Sequence, residues 1–255
     1  MDIKILATGS SGNCYHVSDG TTEILIECGI KYTDIEKKLD YKMDKICAAL
    51  ISHSHKDHSL SAKTLLSYGI ELYMPLETAL ELNIASEIGV NTPKHGEVIF
   101  LNKNGEIITK SEDKKDIDKV SYVISPFYLV HCNSDGSNCP CYGYVINSAV
   151  TGEKLLFATD TAYIKNTFKA VDYMLIEVNY MTSIIDGGET EDFVTEVEKR
   201  RLKSHMSLET AVEFLERSDR SKLKTLYAIH GSSKRLDKDE AYRILEPYAE
   251  RVIVP

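Results

Sequence analysis

Three imidazoles and one carboxylate fall within His53-Ser54-His55-Lys56-Asp57-His58, in a chain of 255 residues that holds only 8 His. Imidazole nitrogen and carboxylate oxygen are common ligands of divalent metals. In extended backbone His53 and His55 point the same way, because side chains alternate with period two. A turn or helix start beyond them aims Asp57 and His58 at a neighbouring point, so the pattern can serve two ions. Further His and Asp residues close apolar runs: His131 after Phe127-Tyr128-Leu129-Val130, Asp160 after Leu155-Leu156-Phe157-Ala158-Thr159, and His230 after Leu226-Tyr227-Ala228-Ile229. Nitrogen and oxygen donors without a thiolate suit borderline or hard cations, zinc or manganese. Two such ions ~3.5–4 Å apart share a hydroxide and clamp the attacking and leaving oxygens of a phosphodiester. A general acid for the leaving oxygen has a candidate in His205, within Ser204-His205-Met206-Ser207. Glu177 closes another apolar run, and a carboxylate beside an imidazole favours its charged form.

The elements that must position these residues are legible as hydrophobic patterning. Residues 46–51 form an apolar run without breakers, read as a buried strand that carries the His cluster on a rigid support. Strands are expected at residues 3–7, 14–17, 23–27, 70–74, 98–101, 106–109, 120–130, 142–146, 154–158, 171–178 and 223–229. Pro126 is expected to break the 120–130 strand, and residues 252–254 to pair at a sheet edge. Helices are expected at residues 31–39 and 59–67, and from Pro75 through Leu82. Two more begin near Thr190, with Phe193, Val194 and Val197 on one face, and near Ser207, with Leu208, Ala211, Val212 and Leu215 on one face. Asp237 and Glu240 open a last one. Asn104-Gly105 is a hairpin turn signal, and residues 111–118 read as its charged, exposed tip.

Composition is that of an ordinary globular protein, 43% hydrophobic and 27% charged. No run approaches the ~20 apolar residues of a membrane helix, and no signal-peptide pattern opens the chain. The six Cys are scattered and read as reduced thiols. Cys139-Pro140-Cys141 is too closely spaced for the usual structural zinc pair. A cytoplasmic location and no membrane partner are therefore expected. The net charge of −9 argues against a nucleic-acid partner, but its distribution does not. Residues 199–235 carry ten basic residues against four acidic ones, among them Lys199, Arg200, Arg201 and Lys203. Such a segment is either a phosphate-binding surface or a set of solvated helix faces.

His-x-His-x-Asp-His after a hydrophobic strand resembles the signature of the metallo-β-lactamase fold. Ala7-Thr8-Gly9-Ser10-Ser11-Gly12-Asn13, Thr159-Asp160-Thr161, Glu177-Val178-Asn179-Tyr180, Ser204-His205-Met206-Ser207 and His230-Gly231-Ser232-Ser233 follow in order. Together they resemble the YycJ-like (WalJ-like) metallo-hydrolase branch, related to ribonucleases Z and J. The resemblance implies one domain over residues 1–255, an α/β four-layer αββα sandwich, and two divalent ions, Zn2+ or Mn2+. His53, His55 and His131 would hold one ion, Asp57, His58 and His230 the other, and Asp160 would bridge them. Asp57, His205 and Glu177 would be catalytic, and Ser10, Asn13, Ser207 and Ser232 would touch substrate. The implied activity is phosphodiester hydrolysis of DNA or RNA through a metal-bridging hydroxide. Glu27 stands where the superfamily usually has Asp, and Cys132 where the branch commonly has Asp. Residues 132–141 read as an insertion. Rival readings are hydrolysis of a small cyclic phosphodiester, lactone or thioester, and a non-catalytic nucleic-acid-binding module.

Overall fold

The apolar run at residues 46–51 forms strand β4 (Ile46–Leu50). Strands β3 (Glu23–Ile26) and β5 (Glu71–Tyr73) pair with it in parallel on either side. A parallel strand between two others is covered on both faces, which is why Ala48, Ala49, Leu50 and the following Ile51 are all fully buried. The computed structural model describes residues 1–104, 106, 119–133, 135–186 and 204–255. Two mixed sheets form, of six and seven strands. The chain divides into two units, Met1–Phe127 with Tyr144–Glu153, and Tyr128–Gly143 with Lys154–Pro255.

The first unit holds the six-stranded sheet. It runs from β1 (Asp2–Ala7) through β2 (Cys14–Ser18), β3, β4 and β5 to β6 (Val90–Asn91). Helices α1 (Tyr32–Lys38), α2 (Lys56–Ser59), α3 (Ala62–Ser67) and α4 (Leu76–Glu81) belong to the same unit. Ile35 of α1, Leu65 of α3 and Ala79 of α4 join Leu25, Ala49 and Leu72 of the sheet in one buried cluster. The single helix expected at residues 59–67 is two, α2 and α3, divided at Leu60 and Ser61. Ser61 is held from outside: its N–H donates to Cys28 O and its hydroxyl to Ile30 O. This unit also holds β7 (Ile99–Asn102), antiparallel to β8 (Val120–Leu129). Pro126 does not break β8. The β7 ladder ends at Ile124, so the missing N–H of Pro126 is not needed, and its carbonyl accepts from Gly96 N.

The second unit is built on four parallel strands in the order β13 (Arg251–Ile253), β12 (Thr225–Ile229), β11 (Tyr173–Glu177) and β10 (Lys154–Ala158). The expected edge strand at residues 252–254 is thus β13. The remaining strand, β9 (Cys141–Ser148), is divided between the units. The unit carries α5 (Thr182–Asp186), α6 (Leu208–Arg217) and α7 (Lys238–Leu245). Ser207 caps α6 by accepting from Thr210 N, and Asp237 caps α7 by accepting from Asp239 N and Glu240 N. The buried face of α6 is Leu208, Ala211, Phe214 and Leu215. Phe214 takes the place expected for Val212, and burying a Phe ring stabilises by about 1.5–3 kcal/mol.

Most of the strand expected at residues 106–109, the charged tip at 111–118 and the helix with Phe193, Val194 and Val197 lie outside the described residues. So do Lys199, Arg200, Arg201 and Lys203. None of the six Cys forms a disulfide. Among the described residues no helix is long and apolar enough to cross a membrane.

Candidate metal centre

In the first unit the His cluster sits where β4 ends. His53 and His58 are fully buried. His53 Nε2 lies 2.9 Å from His55 Nδ1, and the His53 ring centroid is 4.5 Å from that of His55 and 4.3 Å from that of His58. Asp57 Oδ2 is 3.5 Å from His58 Nε2. Imidazole nitrogens and a carboxylate are the donor types that divalent cations of borderline character take. Neighbouring groups fix the rings: Ser52 Oγ hydrogen-bonds His53 Nδ1 at 2.8 Å, and Glu27 Oε1 lies 3.4 Å from His58 Nδ1. Ser52 N also donates to the Glu27 carboxylate. Burial pushes the Glu27 carboxyl above its ordinary range despite His58 and Ser52 beside it.

The turn carrying Asp57 and His58 is gripped by backbone. Asn13 N donates to Asp57 O, Cys28 N to His58 O, and Gly29 N to Asn13 O, each at 2.8 Å. A Cβ on Gly29 would lie 1.7 Å from Asp57 O, so only glycine allows this approach. Asn13 is fully buried. Its side-chain amide donates to Gly9 O and Asp57 O, lies 3.2 Å from His58 Nε2, and its oxygen accepts from Gly9 N and Tyr15 OH. Asn13, expected at the substrate, is therefore a clamp on the ligand turn. Ser10 in the same loop is exposed.

In the second unit the level register of β10, β11 and β12 matters. Ala158 pairs with Ile176, and Glu177 with Ile229, so Asp160, Glu177 and His230 come out at one edge of the parallel strands. Glu177 Oε1 lies 2.6 Å from His205 Nδ1 and 2.9 Å from His230 Nδ1. Its Oε2 accepts from Thr161 N at 2.9 Å and Met206 N at 3.4 Å. His230 Nδ1 is 3.3 Å from Asp160 Oδ1, and His131 Nε2 is 3.8 Å from Asp160 Oδ2. Thr159 Oγ1 donates to Asp160 Oδ1 at 3.0 Å. Asp160, Glu177, His205 and His230 each offer a ligand atom, all within 4.8 Å of one another. Two imidazoles and two carboxylates without a thiolate again fit a divalent metal.

Burial alone would raise Glu177, but the His205 charge and the hydrogen bonds from both histidines outweigh it and hold the carboxyl below its ordinary value. Burial likewise pulls His205 down, and Glu177 overrides it and lifts the imidazole above its ordinary value. The backbone is strained at three of these places. Glu27, Asp160 and His230 have φ of 61°, 50° and 57°, left-handed values that L side chains resist.

Ser207 is buried, and its hydroxyl caps α6. Ser232 is half-buried, and its N–H donates to Asn179 O. Cys132 bridges Asn138 in antiparallel fashion, and Cys139 N donates to His131 O. The described part of the basic segment is not one face. Lys222 and Lys224 precede β12, and His230 follows it, so five residues at ~3.3 Å put roughly 17 Å between Lys224 and the site edge. Lys224 pairs with Asp172 at 3.1 Å. Of the described basic residues between 204 and 235, Lys234 and Arg235 alone follow His230. The sequence reading passed over Ser52, Thr159 and Asn179. Each adjoins a named ligand or lies two residues beyond Glu177 on the same side of an extended chain, and that was the available signal.

A family model described as the beta-lactamase superfamily domain matches residues 22–230. The chain is 25% identical over 249 residues to exodeoxyribonuclease WalJ of Streptococcus pneumoniae serotype 2 (strain D39), covering 94% of this chain and 84% of that one. It is 23% identical over 177 residues to exodeoxyribonuclease YycJ of Bacillus anthracis, 67% of this chain and 58% of that one. Among solved structures it is similar to the metallo-beta-lactamase fold protein YhfI of Bacillus subtilis, with TM-score 0.66 and 13% identity over 99% of this chain and 95% of that one. Human tRNase Z, short form, gives TM-score 0.60 and 18% identity over 100% and 96%. The fold shared with both is the metallo-β-lactamase fold.

Proposed function

The chain belongs to the beta-lactamase superfamily, and on that premise we propose that it is a metal-dependent nuclease that removes nucleotides from the ends of DNA. The observation that carries the reading is the cluster of buried Asp160, Glu177 and His230 with half-buried His205, in which two proposed ligands adjoin a Glu–His pair able to donate a proton. Relatives named exodeoxyribonucleases over 94% of the chain supply the substrate class and the exonucleolytic direction.

The proposed ligands are His53, His55, Asp57, His58, His131, Asp160 and His230, within one metallo-β-lactamase-like domain over residues 1–255. The ions are two, zinc or manganese. Bound there, they would activate water and offset charge on the phosphodiester. The chain's own part is proton handling. Glu177 faces Nδ1 of His205, which leaves Nε2 to give a proton to the leaving oxygen as the P–O bond breaks. Glu177 holds the imidazole above its ordinary pKa, which favours the protonated form that a general acid needs. Asp57, the third proposed catalytic residue, lies beside His58 and would accept a proton from the attacking water.

The test is hydrolysis of fluorescent single- and double-stranded DNA and RNA, and of bis-p-nitrophenyl phosphate, with added Zn2+ or Mn2+, by wild type and His55→Ala. The expected result is a ladder of DNA shortened from one end, absent in the variant. Cleavage of the small diester alone would replace the polymer substrate by a small one.

A further inference from the structure

Asn179 lies two residues beyond Glu177, and three of its hydrogen bonds reach the two histidine-bearing segments. Its N–H donates to Met206 O at 2.9 Å, beside His205, and its carbonyl accepts from Ser232 N at 2.9 Å, beyond His230. Its side-chain Nδ2 donates to His230 O at 2.8 Å. The two backbone bonds would survive substitution by Asp or Ala. The side-chain bond would not, and it falls on the peptide that follows a left-handed residue, His230 at φ 57°. A residue held there needs an outside partner to stay. Asn179 Nδ2 also lies 3.4 Å from His230 Nδ1, so Glu177 and Asn179 both act on His230. Glu177 Oε1 receives the His230 ring through Nδ1, and Asn179 holds the His230 backbone from which that ring is presented.

We infer that Asn179 is a positioning residue, whose side-chain amide locks the His230 backbone and thereby fixes the His230 ring for metal binding. This rests on the reading of His230 as a ligand. Ligand-orienting partners of this kind are commonly worth ~10–100-fold in metal affinity.

The test pairs Asn179→Asp with Asn179→Ala and measures Zn2+ affinity of the folded protein by competition with a chromophoric chelator. Thermal melts of the metal-free protein run alongside. Asp matches Asn in shape but sets an acceptor against His230 O, and Ala merely removes the donor. The expected order of affinity is wild type, then Ala, then Asp, with Asp weakened ~10–100-fold. A residue that only fills space gives the opposite order, with Asp near wild type, and that result overturns the inference. A fall in melting temperature with unchanged Zn2+ affinity overturns it too. Should neither variant fold, the wild-type protein decides. The Asn179 side-chain amide protons, assigned by NMR, must shift on Zn2+ titration, and resonances that stay fixed sink the idea. Wild type that binds no Zn2+ at all defeats instead the metal reading of the proposed function.

Discussion

Gly29→Ala is the sharpest test of how the ligand turn is built. The added methyl would meet Asp57 O at 1.7 Å, Asp57 C at 2.1 Å and His58 N at 2.7 Å. All three are backbone atoms, so no side-chain rotation relieves the clash. The segment following β3 and the 57–58 turn must part by well over an ångström. Three backbone hydrogen bonds of 2.8 Å cross that contact: Cys28 N to His58 O, Gly29 N to Asn13 O, and Asn13 N to Asp57 O. Each is worth ~1 kcal/mol net, and forced overpacking adds about 1–3 kcal/mol. The total, roughly 4–6 kcal/mol, is a large share of the 5–15 kcal/mol that holds a typical domain folded. At about 2–4 °C per kcal/mol for a chain of this size, the melting temperature should fall by at least ~8 °C. The assay is a thermal melt of the metal-free protein by circular dichroism, followed by Zn2+ titration of whatever remains folded. A variant melting within ~2 °C of wild type would show that the turn tolerates separation and that the close approach is not what positions Asp57 and His58.

Further expectations follow from the same contacts. His205→Ala should lower kcat on bis-p-nitrophenyl phosphate by about 10²–10⁴-fold while Zn2+ affinity stays within a few-fold; a large loss of affinity would make His205 a ligand rather than the acid. Glu209 accepts from Thr182 Oγ1 at 2.7 Å; burial raises its carboxyl, but the Thr182 and helix-start hydrogen bonds outweigh that and hold it below its ordinary value. A carboxylate lowered in the folded state stabilises above its unfolded pKa and loses that contribution as pH falls through the folded value. The melting-temperature gap between wild type and Glu209→Gln should therefore be present at pH 7 and close in acid; a gap that persists at pH 3 would contradict this. Lys222 lies more than the ~8 Å screening length from the site edge at physiological salt, so Lys222→Gln should change kcat/KM on DNA less than about two-fold, and a larger drop would place substrate on that side.

Much of this was written in the chain. β4 was legible because a strand covered on both faces has no room for polar residues, and the His cluster after it followed from residue type alone. His131, Asp160, Glu177 and His230 share one sequence pattern, a polar residue closing an apolar run, and for the last three the level parallel register of β10 to β12 brings those run ends to one edge. The failures are tertiary. Asn13 sits in a Gly- and Ser-rich turn that reads as a substrate loop, and nothing local tells that its amide faces inward to Asp57. Pro126 is tolerated only because the β7 ladder has already ended. Helical spacing fits Phe214 and Val212 about equally, and packing chose the larger ring. The division between α2 and α3 comes from Cys28 and Ile30, some thirty residues away.

The left-handed residues have a consequence for anyone who alters this protein by selection. Glu27, Asp160 and His230 each cost ~1–2 kcal/mol in a conformation that glycine adopts without penalty. Replacing any of them by glycine relieves that strain, and at Glu27 it also removes a fully buried carboxyl. A library screened for heat resistance alone would therefore drift toward glycine at these three positions and would enrich for proteins that melt later and no longer work. Directed evolution of this scaffold has to score turnover in the same round as stability, or hold residues 27, 160 and 230 fixed.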